Sequence, residues 1–125
     1  MKKRKILITG GTGFIGYHLA KKCLKLNWKV DSISTKLPSI RRKLKRVNYI
    51  ILDISKKNLF RKLSQDYDYV VNLAGYVDHS KSNQIVKTHF KGCKNLANYF
   101  LNTEIKKFVQ IGSSIEYGKE KSPQK

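Results

Sequence analysis

The chain alternates between two hydrophobic periods, and this alternation constrains its fold more than any other feature. Short apolar runs rich in β-branched residues occupy 5–9, 29–34, 47–52, 69–74 and 107–112. Between them, apolar residues return at helical spacing: Ile15, Leu19, Cys23 and Leu26 within 14–26, Leu59, Phe60 and Leu63 within 55–63, and Ile85, His89, Cys93, Leu96, Ala97 and Phe100 within 82–101. Ser55 reads as the N-cap of the middle helix. Strands that alternate with helices need right-handed crossovers, which give a parallel sheet with helices on both faces. The expected fold class is therefore α/β, a doubly wound parallel sheet of five strands in the order 3-2-1-4-5. The run at 69–74 is nearly all apolar, as a strand buried on both faces should be. With 125 residues there is room for a single core, so 1–125 reads as one domain with only 119–125 as a tail.

Charge is the next constraint. The chain carries 27 Lys+Arg against 8 Asp+Glu, a formal net charge of +19. An excess of this size marks either nucleic-acid binding or a lysine-rich solvated surface. Lys supplies 22 of the 27, whereas base readout and bidentate phosphate clamping favour Arg. The surface reading is preferred, and nucleic acid is not the expected partner. One dense cluster, Arg41, Arg42, Lys43, Lys45 and Arg46 around Leu44, is either a solvated loop or short helix, or an anion site. No apolar run approaches the roughly 20 residues needed to cross a bilayer, so no membrane association is expected. The basic start has an apolar stretch that ends at Ile8 and runs into glycines, unlike a secretory signal, so a cytoplasmic location is expected. Cys23 and Cys93 lack CxxC spacing and paired His; they read as reduced packing residues, with neither a disulfide nor a metal site.

The first strand runs into Gly10-Gly11-Thr12-Gly13-Phe14-Ile15-Gly16, which satisfies both GxGxxG and GxxGxxG. Three spaced glycines are a weak signal alone, but their position between a strand and a helix is specific. A phosphate needs backbone N–H groups at a helix N-terminus and no Cβ in its way, which such a turn supplies. About 20 residues further on, a dinucleotide fold carries an acid for the adenosine ribose or a basic residue for a 2′-phosphate. Here the second strand ends Ile33-Ser34-Thr35-Lys36, and Asp31 lies inside the strand, three positions early. Ser34 and Lys36 thus favour NADP over NAD.

In chain order, GGTGFIG, Leu52-Asp53, Asn72-Leu73-Ala74-Gly75 and Gly112-Ser113-Ser114-Ile115-Glu116-Tyr117-Gly118 follow the first, third, fourth and fifth strands. Together they resemble the extended short-chain dehydrogenases, the NAD(P)-dependent epimerase/dehydratase family acting on nucleotide sugars, over nearly the whole chain. The resemblance implies a Rossmann-type domain in which Gly10, Gly13 and Gly16 cradle the pyrophosphate, with Thr12, Phe14 and Ile15 also among the cofactor-binding residues. It also implies that Asp53, with Ile54 beside it, accepts a bond from the adenine amino group, and that Leu73, Ala74, Gly75 and Ile111 line the path to the nicotinamide ribose. Ser113, four residues before Tyr117, would share the reacting oxygen of the sugar. Dehydratases of the family place an acid two residues before that Tyr; this chain has Ile115, and so looks more like the epimerases and reductases that handle 4-keto nucleotide sugars.

Two departures accompany the resemblance. His89 stands where the family usually has Asn, and the catalytic Tyr and Lys four residues apart, which the family carries on the helix after the fifth strand, do not occur before Lys125. Tyr117 and Lys121 match the spacing, but Gly118 disfavours the helix that would join them. The expected function is the NAD(P)-binding part of a nucleotide-sugar epimerase or 4-keto reductase, with hydride transfer at sugar C4 and no turnover by these 125 residues alone. The alternative is a non-catalytic truncated module that binds NAD(P), or acidic partners through its basic surface. An uncovered fifth strand also predicts self-association.

Overall fold

The computed structural model describes residues 3–73, 83–101 and 103–110. Five strands, β1 (Lys5–Thr9), β2 (Lys29–Ser34), β3 (Val47–Ile51), β4 (Tyr69–Asn72) and β5 (Lys107–Gln110), form one sheet in the order β3-β2-β1-β4-β5. Every pairing is parallel, with Ile8 opposite both Ser32 and Val71. The order is the one expected from the alternating periods. The nearly all-apolar run at 69–74 suggests the sheet centre, but β4 lies between β1 and β5, one place off the centre, which β1 holds.

Successive strand residues point to opposite faces, and this divides the core in two. On one face Ile6, Ile8, Val30 and Val47 pack with Ala20 and Cys23 of α1 (Phe14–Lys25). On the other, Leu7, Ile33, Leu52 and Val70 pack with Phe60, Leu63, Tyr67, and Leu96 and Phe100 of α2 (Asn83–Phe100). Among the described residues, no helix is long and apolar enough to cross a membrane.

Three expectations need correction. The buried face of α1 runs through Gly16, Ala20 and Cys23, while Ile15 and Leu26 are 60% and 53% exposed. Residues small enough to bring the helix axis close to the sheet carry the contact, and a count of large apolar side chains misses them. Second, 55–63 is not an α-helix capped by Ser55. It is a 3₁₀ helix, Lys57–Lys62, and the Ser55 hydroxyl instead donates to Asp53 Oδ1 at 2.7 Å. Phe60 and Leu63 are nevertheless buried as expected. Third, Ala97 is exposed on α2, so its packed face is set by Gly92, Leu96 and Phe100. The side chains of Leu59, Ile85 and His89 lie outside the described part of the structure.

Helix α1 ends in a left-handed residue, Asn27, at φ 65°. The Trp28 N–H donates to the Cys23 carbonyl and the Asn27 N–H to that of Leu24, both at 3.0 Å, so the last carbonyls of the helix are satisfied by a Schellman arrangement.

Candidate functional site

The turn from β1 into α1 is fixed by its own backbone. Gly10 is left-handed at φ 77°; its N–H donates to the Ile33 carbonyl at 2.9 Å and its carbonyl accepts from Gly13 N–H at 3.1 Å. Gly16 sits against this corner, and a Cβ there would lie 2.5 Å from both the Gly10 oxygen and the Gly11 Cα. Gly10 and Gly16 are therefore required by the fold.

Gly13 is different. Its φ of −81° is open to any residue, and a Cβ added to it would meet nothing closer than the Gly10 oxygen at 3.5 Å. It caps α1 without a side-chain hydrogen bond, so the first-turn N–H groups have no capping partner from it. Phe14 and Ile15 open the helix with their side chains largely exposed. Beneath the turn, Ser32 of β2 leaves no room for a Cβ on Gly11, which would lie 2.2 Å from its Oγ and 2.9 Å from its Cβ. The Ser32 hydroxyl is buried and has no hydrogen-bond partner among the described residues.

The other expected residues gather at the same edge of the sheet. Ser34 ends β2, its hydroxyl donating to the Lys36 carbonyl at 2.6 Å, and the Lys36 side chain is exposed. Asp31 accepts from the Tyr67 hydroxyl at 2.6 Å. Asp53 follows β3 in an Asx turn, its Oδ1 accepting the Ser55 N–H at 2.9 Å as well as the hydroxyl. The Ser55 hydroxyl is the main reason its carboxyl is held below the usual carboxylate range, against a smaller opposing effect of burial. Ile54 packs on Gly92 of α2, where a Cβ would come within 2.6 Å of Cγ1, and Asn95 Nδ2 donates to the Ile54 and Ser55 carbonyls at 3.1 and 3.2 Å. Leu73 leaves β4 with its N–H on the Thr9 carbonyl at 3.0 Å.

Thus Gly10, Thr12, Gly13, Ser34, Lys36, Asp53, Ile54 and Leu73 occupy the carboxyl ends of the strands or the turns that follow, and Phe14, Ile15 and Gly16 the first turn of α1 beyond them, where ligands of open α/β sheets bind. Ala74, Gly75, Ile111 and Ser113, and the Tyr117/Lys121 pair, lie outside the described residues. Two features escaped the sequence reading. One is a polar row across the sheet, in which the Thr9 hydroxyl donates to Asn72 Oδ1 and Asn72 Nδ2 donates to Gln110 Oε1 at 2.7 Å. The other is Ser32, whose only signal is a small polar residue on the α1 face of an otherwise apolar strand. Among the described residues no group of three or more His, Cys, Asp or Glu could hold a metal ion.

Residues 6–125 match the model of the NAD dependent epimerase/dehydratase family. The chain belongs to that family. It is 30% identical over 129 residues to UDP-N-acetyl-alpha-D-glucosaminuronate decarboxylase of Bacillus cytotoxicus, covering 97% of this chain and 40% of the relative. It is 34% identical over 141 residues to dTDP-D-glucose 4,6-dehydratase of Dictyostelium discoideum, covering 92% and 30%. Among solved structures, the Bordetella bronchiseptica enzyme WbmH in complex with NAD+ superposes with a TM-score of 0.80 at 24% identity, over 95% of this chain and 42% of that one; this is a likeness of fold. The chain spans 30–40% of the length of the curated relatives it matches.

Proposed function

We propose that the chain is the dinucleotide-binding part of an NAD(P)-dependent enzyme that modifies nucleotide sugars, an epimerase or a 4-keto reductase moving hydride at sugar C4. The observation that carries this reading is Gly13. Neither backbone conformation nor packing demands glycine there, so the missing side chain is explained by what must approach the N-terminus of α1, and a pyrophosphate fits that demand. The unpartnered Ser32 hydroxyl under the same turn supports it, because a buried polar group without a partner costs about 1–3 kcal/mol unless a water or ligand satisfies it.

In this reading Gly10, Thr12, Gly13, Phe14, Ile15 and Gly16 hold the pyrophosphate, and Ser34 and Lys36 face the adenosine ribose. Asp53, ionised at neutral pH, accepts from the adenine amino group beside Ile54. Leu73, Ala74, Gly75 and Ile111 border the nicotinamide ribose, and Ser113 orients the sugar hydroxyl. The cofactor, when bound, supplies hydride exchange with the sugar carbon. Two relatives are named for decarboxylation and 4,6-dehydration; Ile115, where the family's dehydratases carry an acid, keeps the proposal with the epimerases and reductases. The Tyr117/Lys121 pair is given no catalytic part, and no hydride transfer is expected from the 125 residues alone.

Calorimetric titration tests the reading. NADP(H) or NAD(H) should bind the wild-type chain with micromolar or weaker affinity and should not bind Gly13→Val, in which a branched side chain enters the space proposed for the pyrophosphate. Equal binding by the two proteins would show the site assignment to be wrong.

A further inference from the structure

The turn that follows β3 leaves two carbonyls to be satisfied from outside it. It closes with the Lys56 N–H on the Asp53 carbonyl at 3.0 Å, a bond that uses neither carbonyl of the central residues, Ile54 and Ser55. Asn95 of α2 takes both, its Nδ2 donating at 3.1 and 3.2 Å across 41 and 40 residues of sequence. Both acceptors are carbonyl oxygens, so the side-chain amide must face them with its NH2 group. The helix comes this near because Gly92, three residues earlier on the same face, has no side chain. A Cβ there would lie 2.6 Å from Ile54 Cγ1 and 3.3 Å from the Ser55 nitrogen.

Within the turn, the Asp53 carboxylate is held by one oxygen. Oδ1 accepts the Ser55 N–H at 2.9 Å and the Ser55 hydroxyl at 2.7 Å, while Oδ2 accepts no hydrogen bond among the described residues. Ser55 is therefore gripped on both sides, its carbonyl by Asn95 and its donors by Asp53. A carboxylate that turns freely shares its lone pairs with water. One whose Oδ1 is fixed to an anchored residue keeps Oδ2 in a single place, which a donor on a ligand meets without further ordering cost.

We infer that Asn95 is a positioning residue for base recognition: by clamping the Ile54 and Ser55 carbonyls from α2, it holds the open oxygen of Asp53 for the 6-amino group of adenine. It thereby sets a preference for adenine over a base without that group. The inference rests on the dinucleotide reading of the glycine turn, with Asp53 at the adenine. If Asn95 only secured α2 to the turn, its loss would weaken every dinucleotide alike. If it holds Asp53, ligands that lack the 6-amino group are spared.

The experiment is a set of binding titrations of the 125-residue chain, Asn95→Leu, Asn95→Ala and Asp53→Ala with NADH, NADPH and their hypoxanthine analogues, in which an oxygen replaces the 6-amino group. Far-UV circular dichroism checks that each variant folds. The wild type should bind the adenine forms about tenfold or more tighter than the hypoxanthine forms, the scale of a hydrogen bond to a charged group, and Asp53→Ala should lose that preference. Both Asn95 variants should lose about fivefold or more for the adenine forms and stay within about twofold of wild type for the hypoxanthine forms. An equal loss for both forms in a folded Asn95 variant, an unchanged preference there or in Asp53→Ala, or no preference in the wild type would overturn the inference while the dinucleotide site stands. Loss of the fold in both Asn95 variants would overturn it too, since Asn95 would then be structural. Folded wild-type protein that binds no dinucleotide would overturn the site itself, and the inference with it.

Discussion

Gly13 and Gly16 are three residues apart and are glycine for opposite reasons. A methyl group on Gly16 would strike the backbone of Gly10 and Gly11, so Gly16→Ala should cost about 1–3 kcal/mol of stability as overpacking. A methyl group on Gly13 makes only an ordinary contact with the Gly10 oxygen at 3.5 Å, and Gly13→Ala should unfold within about 1 kcal/mol of wild type, the difference between the two residues at an N-cap. Thermal melts of the two variants separate these outcomes; similar losses in both would mean that the turn relaxes as a unit. Asp66 offers a test in pH. The Ser64 hydroxyl, 2.5 Å away, and then Lys5 at 3.0 Å hold its carboxyl down to about 2. An acid depressed on folding adds stability above the ordinary carboxylate range, near 4, and that stability is lost as pH falls toward 2. Asp66→Asn should flatten urea midpoints between pH 5 and pH 2.5, by a modest amount because the side chain is 57% exposed. The glycines were legible in the sequence because strand, turn and helix frame them. Ser32 was not, since it is a lone hydroxyl in a strand, and Arg42 stood out only as one of a basic cluster, its contact with Thr12 lying across 30 residues.

At the level of elements, the strands were read nearly to the residue and the helices less well, and the cause is physical. A buried parallel strand shows itself as a continuous apolar run, and β1 and β2 match their expected bounds. A helix shows only a stripe, and small residues can carry it: α1 approaches the sheet through Gly16, Ala20 and Cys23 while Ile15 and Leu26 stay in water. The segment after β3 was misread for another reason. Ser55 spends its hydroxyl on Asp53, which tightens a turn where a helix cap was expected. The packing of α1 gives a chemical prediction. Cys23 is buried under the helix and burial pushes its thiol up, whereas Cys93 is only half-buried. Iodoacetamide at pH 8 should therefore modify Cys93 first and reach Cys23 only when urea unfolds the chain. Equal rates for the two in native buffer would mean that α1 opens locally.

For the whole molecule, the sheet edge that β5 forms among the described residues and a large charge oppose one another. β5 pairs with β4 on one side, and Val109 is 40% exposed. A net charge of +19 keeps copies apart at low ionic strength, but the Debye length falls to about 8 Å at 0.15 M salt. Self-association should grow with salt, and sedimentation in 20 mM and 500 mM NaCl reads it directly; a strict monomer in both would mean that the β5 edge is protected. The order β3-β2-β1-β4-β5 has a further consequence, for synthesis on the ribosome. β1 is made first yet is the central strand, and Ile6 pairs with Val30 on one side and Tyr69 on the other. The β1-β2-β3 half can zip as soon as Ile51 has emerged, but the opposite flank of β1 waits for β4. At translation rates of about 5–20 residues per second, that flank stays bare for a few seconds, an interval in which a nascent chain offers chaperones an open apolar strand.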